Sequence, residues 1–304
     1  MPNKSLPLSV WIAFVGISII WGTTFLGIKI ALNDFPPFML SAIRHLLAGI
    51  IFLLIFYRKG MQMPTRRDWL LCFVNGTLLI TFGNGFVCWA ETLISSGMAA
   101  VICAMTPLYV TLMSIFFFKG FRLNFIILIG LLLGIGGIVL LSLPHLEGKG
   151  GELFTGGAIM VTMANLMWAL GSIFIKKHPL SIPTYIAMGI QMLFGGINNL
   201  MISFAIEPSV NFLHISLDSL EALIYLVGIG SLGGYGCYMY VLKNMTPARA
   251  SIHTYINTVV AVLVGWLFYK EHLDLQMWIS MFIVMSGVLL VNRQYAKMAK
   301  QAAK

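Results

Sequence analysis

The sequence predicts an all-α polytopic membrane protein: ten transmembrane helices in two inverted five-helix repeats. Three observations carry this. Of the 304 residues, 59% are hydrophobic and only 10% charged, whereas a globular chain carries about a quarter charged residues. Apolar runs long enough to cross roughly 30 Å of hydrocarbon recur ten times. The chain also echoes itself. Trp21 to Lys29 (Trp-Gly-Thr-Thr-Phe-Leu-Gly-Ile-Lys) returns as Trp168 to Lys176 (Trp-Ala-Leu-Gly-Ser-Ile-Phe-Ile-Lys). Gly83-Asn84-Gly85 returns as Gly234-Tyr235-Gly236, and Leu123-Asn124 followed by Gly137 returns as Leu273-Asp274 followed by Gly287. The offsets are all about 150 residues, which divides the chain into halves 1–150 and 151–304.

The spans are delimited by charge and proline clusters. Span one runs from Leu8 to Leu32 and stops before Pro36-Pro37; span two runs from Phe38 to Tyr57 and stops at Arg58-Lys59. Span three, Trp69 to Ile94, follows Pro64 and Arg66-Arg67, and span four, Gly97 to Phe118, ends at Lys119. Span five, Phe125 to Leu143, is closed by Pro144, and span six, Gly156 to Ile175, by Lys176-Lys177 and Pro179. Span seven, Thr184 to Ile206, lies between Pro183 and Pro208, and span eight, Leu220 to Leu242, ends at Lys243. Span nine, Ala248 to Tyr269, starts after Pro247, and span ten, Met277 to Val291, ends before Arg293. Prolines at span ends cost little, because the missing N–H has no intrahelical partner there. Pro107 alone falls mid-span. It frees the carbonyl near Cys103, which needs another partner in lipid or must face a cavity; a packing kink and a gating kink are the two readings.

Alternating the ten spans sorts fifteen of the nineteen Lys and Arg residues to one side and only Lys29, Lys149 and Lys270 to the other, with Arg44 inside a span. The excess marks the cytoplasmic side, so both termini are expected there. Five spans per half is odd, so the halves must run in opposite senses; Lys29 falls outside and its counterpart Lys176 inside. The net charge of +9 invites a nucleic-acid reading, but the basic residues are scattered over short loops with no basic face. Cys72, Cys88, Cys103 and Cys237 lie in apolar runs without metal-type spacing and are read as small hydrophobes. The first run resembles a signal peptide but is too long, and it is the part that recurs at Trp168; it is expected to be retained.

Ionisable residues inside spans are costly and therefore functional candidates. Arg44 and His45 stand about two turns from the outer end of span two, and Glu91 about one turn from the outer end of span three. An Arg44–Glu91 ion pair would lower the desolvation penalty; snorkelling, or contact with a substrate carboxylate, are the alternatives. Near the midplane, Asn84, Asn165, Gln191, Asn198, Asn199, His253, Thr254, Asn257 and Thr258 offer donors and acceptors, either as hydrogen bonds between helices or as a substrate surface. Trp21 and Trp168 sit at equivalent repeat positions near midspan, where inverted-repeat carriers place their substrate site. Trp21, Asn84, Trp168, Tyr235, His253 and Asn257 are the expected cavity residues.

These residues resemble the drug/metabolite transporter superfamily, specifically its EamA-type ten-helix exporters, over nearly the whole chain. The marks are Trp21-Gly22 with Lys29, Arg44 followed by Leu47-Ala48, Thr106-Pro107-Leu108, and Gly265-Trp266 running to Glu271. The sequence departs from the pattern at Gly120, where a Glu is frequent, at Thr258, where a proline is common, and at His45, which replaces an aromatic residue. The resemblance implies a secondary transporter that exports amino acids or other small metabolites across the plasma membrane without ATP or a prosthetic group. It also implies that spans one to four and six to nine surround the cavity, with spans five and ten peripheral.

Enzymatic function is not expected: no two acids, no Ser/His/Asp set and no metal cluster converge in the spans. A channel would need rings of pore-lining charge or a carbonyl filter, which this sequence lacks. No cofactor or metal is called for. The expected partners are a small-molecule substrate and the lipid bilayer, with a proton added if transport is antiport; uncoupled facilitation and a non-transporting adaptor are the alternatives. Glu91 is the only carboxylate within a span and His45 and His253 are the only imidazoles there, so a proton carrier would come from this set. The sequence assigns no oligomeric state.

Overall fold

The computed structural model describes residues 6–56, 63–117, 124–143, 148–270 and 274–302. Tyr57, Arg58, Lys59, Phe118, Lys119, Gly120, Leu123, Pro144, Glu271 and Leu273, used above for the spans, the repeat and the resemblance, lie outside the described residues, as do Lys4, Arg122 and Lys304 among the fifteen basic residues of the cytoplasmic side. The described residues form helices and no strand. Eight helical stretches are long and apolar enough to cross a membrane, and Phe125–Leu141 and Leu275–Val291 add two shorter apolar ones. The ten agree in order with the ten predicted spans.

Spans one (Leu8–Ala31), two (Pro37–Phe56), six (Gly148–Lys177) and seven (Thr184–Ile206) are continuous α-helices. Span five is Phe125–Ser142, and span ten, Leu275–Ala302, extends well beyond its predicted apolar run. Span three (Arg66–Leu93) carries a π-helical segment at Thr77–Asn84, and span eight (Leu217–Asn244) carries one at Leu226–Gly233. Span four breaks between Ser96–Cys103 and Thr106–Phe117; span nine breaks between Pro247–Ala250 and His253–Tyr269. The same irregularities thus recur at corresponding places in the two halves.

Local chemistry sets the ends. Thr65 and Asp68 close a reciprocal capping box at the start of span three. Side chains of Ser95, Asn124, Ser216 and Thr246 accept the first free N–H groups of spans four, five, eight and nine. Three carboxylates cap helices across the chain. Glu207, after span seven, accepts from the N–H groups of Phe38 and Met39 at 2.7 and 3.0 Å, which fastens it to the start of span two. Asp68 accepts from the Ser181 N–H at 2.9 Å and from its hydroxyl, just before span seven. Asp34, after span one, accepts from the N–H of Ser216 at 3.0 Å and from its hydroxyl. The Ser216 hydroxyl, more than any other group, holds the Asp34 carboxyl below the usual carboxylate range, so this staple stays ionised at neutral pH. The two ends of the bundle are called below the Asp34 face and the Asp68 face.

Span two packs mainly on span seven and span five on span ten. Span one packs on spans eight and nine, and span six packs on spans three and four. Large apolar side chains such as Leu54, Phe116, Phe125, Phe204 and Phe282 are exposed on the outside, as a bilayer-facing surface requires. Trp89 is also on this outer surface, 36% exposed and packed against Phe38.

Candidate functional site

A cavity of about 100 Å³ lies within the bundle. Spans one, two, three, four, six, eight and nine line it. Span seven, expected in the wall, does not: it stands behind spans two and three. Its polar groups are used in packing. Gln191 accepts from Tyr235 at 2.7 Å and from Asn75 at 3.3 Å, Asn199 donates to Ser41 at 2.7 Å, and Asn198 donates to Thr77 at 2.9 Å.

All six expected cavity residues, Trp21, Asn84, Trp168, Tyr235, His253 and Asn257, line this cavity, and Arg44 and His45 join them. Glu91 and Pro107 do not. The Arg44–Glu91 pair is not formed through the nitrogens whose partners are defined: Arg44 Nε donates to Ser231 Oγ at 3.1 Å, and Nη1 is buried without a partner. Nor does Arg44 snorkel, being only 2% exposed. Glu91 has a role of another kind, since its peptide carbonyl accepts from Lys29 Nζ at 2.6 Å, as the Ile94 carbonyl does at 3.1 Å. Lys176 repeats this at the opposite end, donating to the carbonyls of Leu242 and Lys243 at 2.8 and 3.1 Å. The Ile-Lys ending of the repeated sequence is therefore a tie. Each lysine caps carbonyls at the C-terminal end of a facing helix, span three in one case and span eight in the other, where a cation is favoured.

The repeated tryptophans interlock with the repeated glycines. The Trp21 indole N–H donates to the Gly230 carbonyl at 3.1 Å, within the π segment of span eight. A Cβ at Gly234 would lie 2.3 Å from Trp21 Nε1, and a Cβ at Gly83 would lie 2.9 Å from Trp168 Cε3. Only glycine leaves room for a ring that close. The Trp168 indole N–H donates to Tyr238 Oη at 3.0 Å, and Ser172 Oγ lies 2.5 Å from the same oxygen. Trp21 and Trp168 meet edge to face with centroids 5.2 Å apart, and Tyr238 and His253 complete the cluster at 5.2 and 5.3 Å from Trp21. This aromatic plug floors the cavity on the Asp68 side. Along span one the cavity extends from Trp21 to Ile28, toward the Asp34 face. Tyr238 went unnoticed in the sequence, although its place three residues after Tyr235 puts it on a neighbouring helix face.

The expected free carbonyl before Pro107 has a partner. The Thr106 hydroxyl donates to Cys103 O at 2.7 Å and lies 2.9 Å from Asn165 Oδ1, while Asn165 Nδ2 donates to Ile102 O at 3.0 Å. Span nine shows the same device without a proline: the Thr254 hydroxyl donates to Ser251 O at 2.9 Å across its break. Pro107 occupies the second position of the resumed helix, where its missing N–H is harmless. The break therefore belongs to the architecture, and proline accommodates it. Thr254, one of the expected midplane donors, also lines the cavity, as do Thr24, Thr106 and Ser231; as hydroxyl side chains in apolar runs these last three gave little sign of it in the sequence.

A bundle of apolar helices enclosing a polar and aromatic chamber, tied by a lysine at each end, defines a multi-pass membrane transporter. Residues 8–143 and, separately, 155–293 match the EamA-like transporter family, and the chain belongs to that family. An uncharacterized inner membrane transporter, YedA, of Escherichia coli (strain K12) is 32% identical over 283 residues, covering 92% of this chain and 89% of the relative. An uncharacterized transporter of Bacillus subtilis (strain 168), YoaV, is 23% identical over 288 residues, covering 93% and 96%. One solved crystal structure matches with a TM-score of 0.69 at 18% identity, over 94% of this chain and 98% of that one. It supports the fold alone.

Proposed function

We propose that this protein is a secondary transporter that exports a small metabolite across the plasma membrane by alternating access around the central cavity. The observation that carries the reading is the cavity itself, lined by side chains of both halves and holding buried polar atoms without partners at Arg44, His253 and Asn257. A solute entering the cavity would satisfy these atoms. The export direction rests on the family resemblance. Two inverted repeats of five spans, 1–150 and 151–304, with both termini cytoplasmic, complete the proposal. It is supported by the paired π segments, paired breaks and paired lysine ties, and by a family match that occurs once in each half. Alternating access follows if the two ends open in turn by equivalent movements.

One observation favours uncoupled facilitation as the second reading: among the described residues no carboxylate lines the cavity. A proton carried through the cycle would then need His45 or His253. Flux of a labelled amino-acid or aromatic solute into proteoliposomes, measured with and without an imposed pH gradient, decides both points. Saturable flux is expected for a transporter, and non-saturable or absent flux overturns the proposal. Gradient-driven accumulation that disappears in His253→Gln selects antiport; indifference to the gradient selects facilitation.

A further inference from the structure

We infer that the cavity is an anion site, built to take a solute with a single carboxylate that Arg44 binds. The inference rests on the transport reading above and deepens it by naming the substrate class. Arg44 is a guanidinium on span two buried at the cavity wall, and its one defined hydrogen-bond partner is the neutral hydroxyl of Ser231 on span eight. That bond fixes Nε. The tip is held close on one side, since a Cβ at Gly230 would lie 3.1 Å from Nη2. Nη1 is left buried and without a partner. A side chain that is permanently charged, positioned and incompletely satisfied is preorganised for an anionic oxygen.

Charge count narrows the class. Among the described residues the cavity wall has no Asp or Glu and no lysine, so Arg44 is its single fixed charge. An ammonium-bearing drug would meet that cation with no carboxylate on the wall to receive it, which disfavours organic amines. A phosphate dianion would need more than one guanidinium for neutralisation; a carboxylate monoanion matches one. The rest of the wall suits the body of such a solute: the ring edges and faces of Trp21, Trp168 and Tyr235 offer apolar surface. Asn257 Oδ1, also buried without a partner, offers an acceptor for an N–H on the same solute.

The test uses the purified full-length protein in detergent micelles and three probes sharing one skeleton: phenylacetate, its neutral isostere phenylacetamide, and phenethylamine. Titration calorimetry of the wild type is expected to show phenylacetate binding about 10- to 100-fold more tightly than phenylacetamide, the range for a hydrogen bond to a charged group. Phenethylamine is expected not to compete. Arg44→Gln should erase the preference for the acid over the amide, and Arg44→Lys should keep part of it. Equal affinity for acid and amide, tighter binding of the amine, or no binding of phenylacetate up to millimolar concentrations overturns the inference. These comparisons on the wild type decide even if Arg44→Gln fails to fold. Phenylacetate that is bound but not carried would uphold the anion site and defeat the transport reading, whereas saturable transport of phenethylamine without phenylacetate binding would do the reverse.

Discussion

Trp21 and Trp168 show how one residue type serves packing and function together. Each ring seats on a glycine of the opposite half, and together with Tyr238 and His253 the rings separate the cavity from the Asp68 face. Trp168→Ala removes an aromatic wall and the donor to Tyr238. Transport is expected to fall roughly tenfold or more, with membrane insertion unchanged, because aromatic contacts of this kind contribute about a kcal/mol each beyond burial. Asn257→Ala removes an amide that makes none of the defined interhelical hydrogen bonds through Oδ1. It should weaken apparent affinity about threefold, the size of a typical intramembrane hydrogen bond, with little loss of thermal stability. Unchanged transport kinetics in both variants at matched protein level would remove these residues from the site. Thr106→Val tests the opposite case. It strips the Cys103 carbonyl of its hydroxyl donor and should lower stability by about 1–3 kcal/mol, seen as a lower melting temperature in detergent.

At the scale of elements, breaks and ties come in pairs. Because span nine is interrupted with no proline, Pro107→Ala should leave span four broken and transport near the wild-type level; a large loss would return the proline to a gating role. The lysine ties join span one to span three at the Asp34 face and span six to span eight at the Asp68 face. Lys29→Met should loosen the first end and Lys176→Met the second. The free Cys103 thiol, which lines the cavity, is a reporter for this. In a variant that keeps Cys103 as its only cysteine, labelling by a membrane-impermeant thiol reagent from the Asp34 side should rise in Lys29→Met and fall in Lys176→Met. Parallel changes in the two variants would show that the ties do not act as opposed latches.

For the whole molecule, the proposal of two oppositely oriented halves makes a topological statement. Asn33→Cys and Arg67→Cys place single exposed cysteines on the Asp34 and Asp68 faces respectively. In intact cells an impermeant reagent should label the first and spare the second, and labelling of Arg67→Cys from outside would reverse the assigned orientation. The carboxylate caps of Asp34, Asp68 and Glu207 each join distant parts of the chain, so neither half is fastened only to itself.

The ten spans and their order were legible in the sequence, because crossing a bilayer imposes length and apolarity on each segment independently of its neighbours. The cavity residues were legible for a related reason: polar and aromatic side chains at mid-depth must face protein or water, and Trp21, Asn84, Trp168, Tyr235, His253 and Asn257 all do. Depth alone, however, does not say which helices face each other. Arg44 and Glu91 lie at similar depths, yet the guanidinium reaches across to Ser231 on span eight, a choice made by helix packing. Span seven carries as much amide as the cavity wall but is placed behind it, where Gln191 and Asn199 join helices. The use of Lys29 and Lys176 as ties, the seating of each tryptophan on a distant glycine and the hydroxyl that satisfies the Cys103 carbonyl were likewise decided by tertiary structure. In each case one partner is a backbone carbonyl, or a glycine that offers only space, and neither leaves a side-chain signature in the sequence.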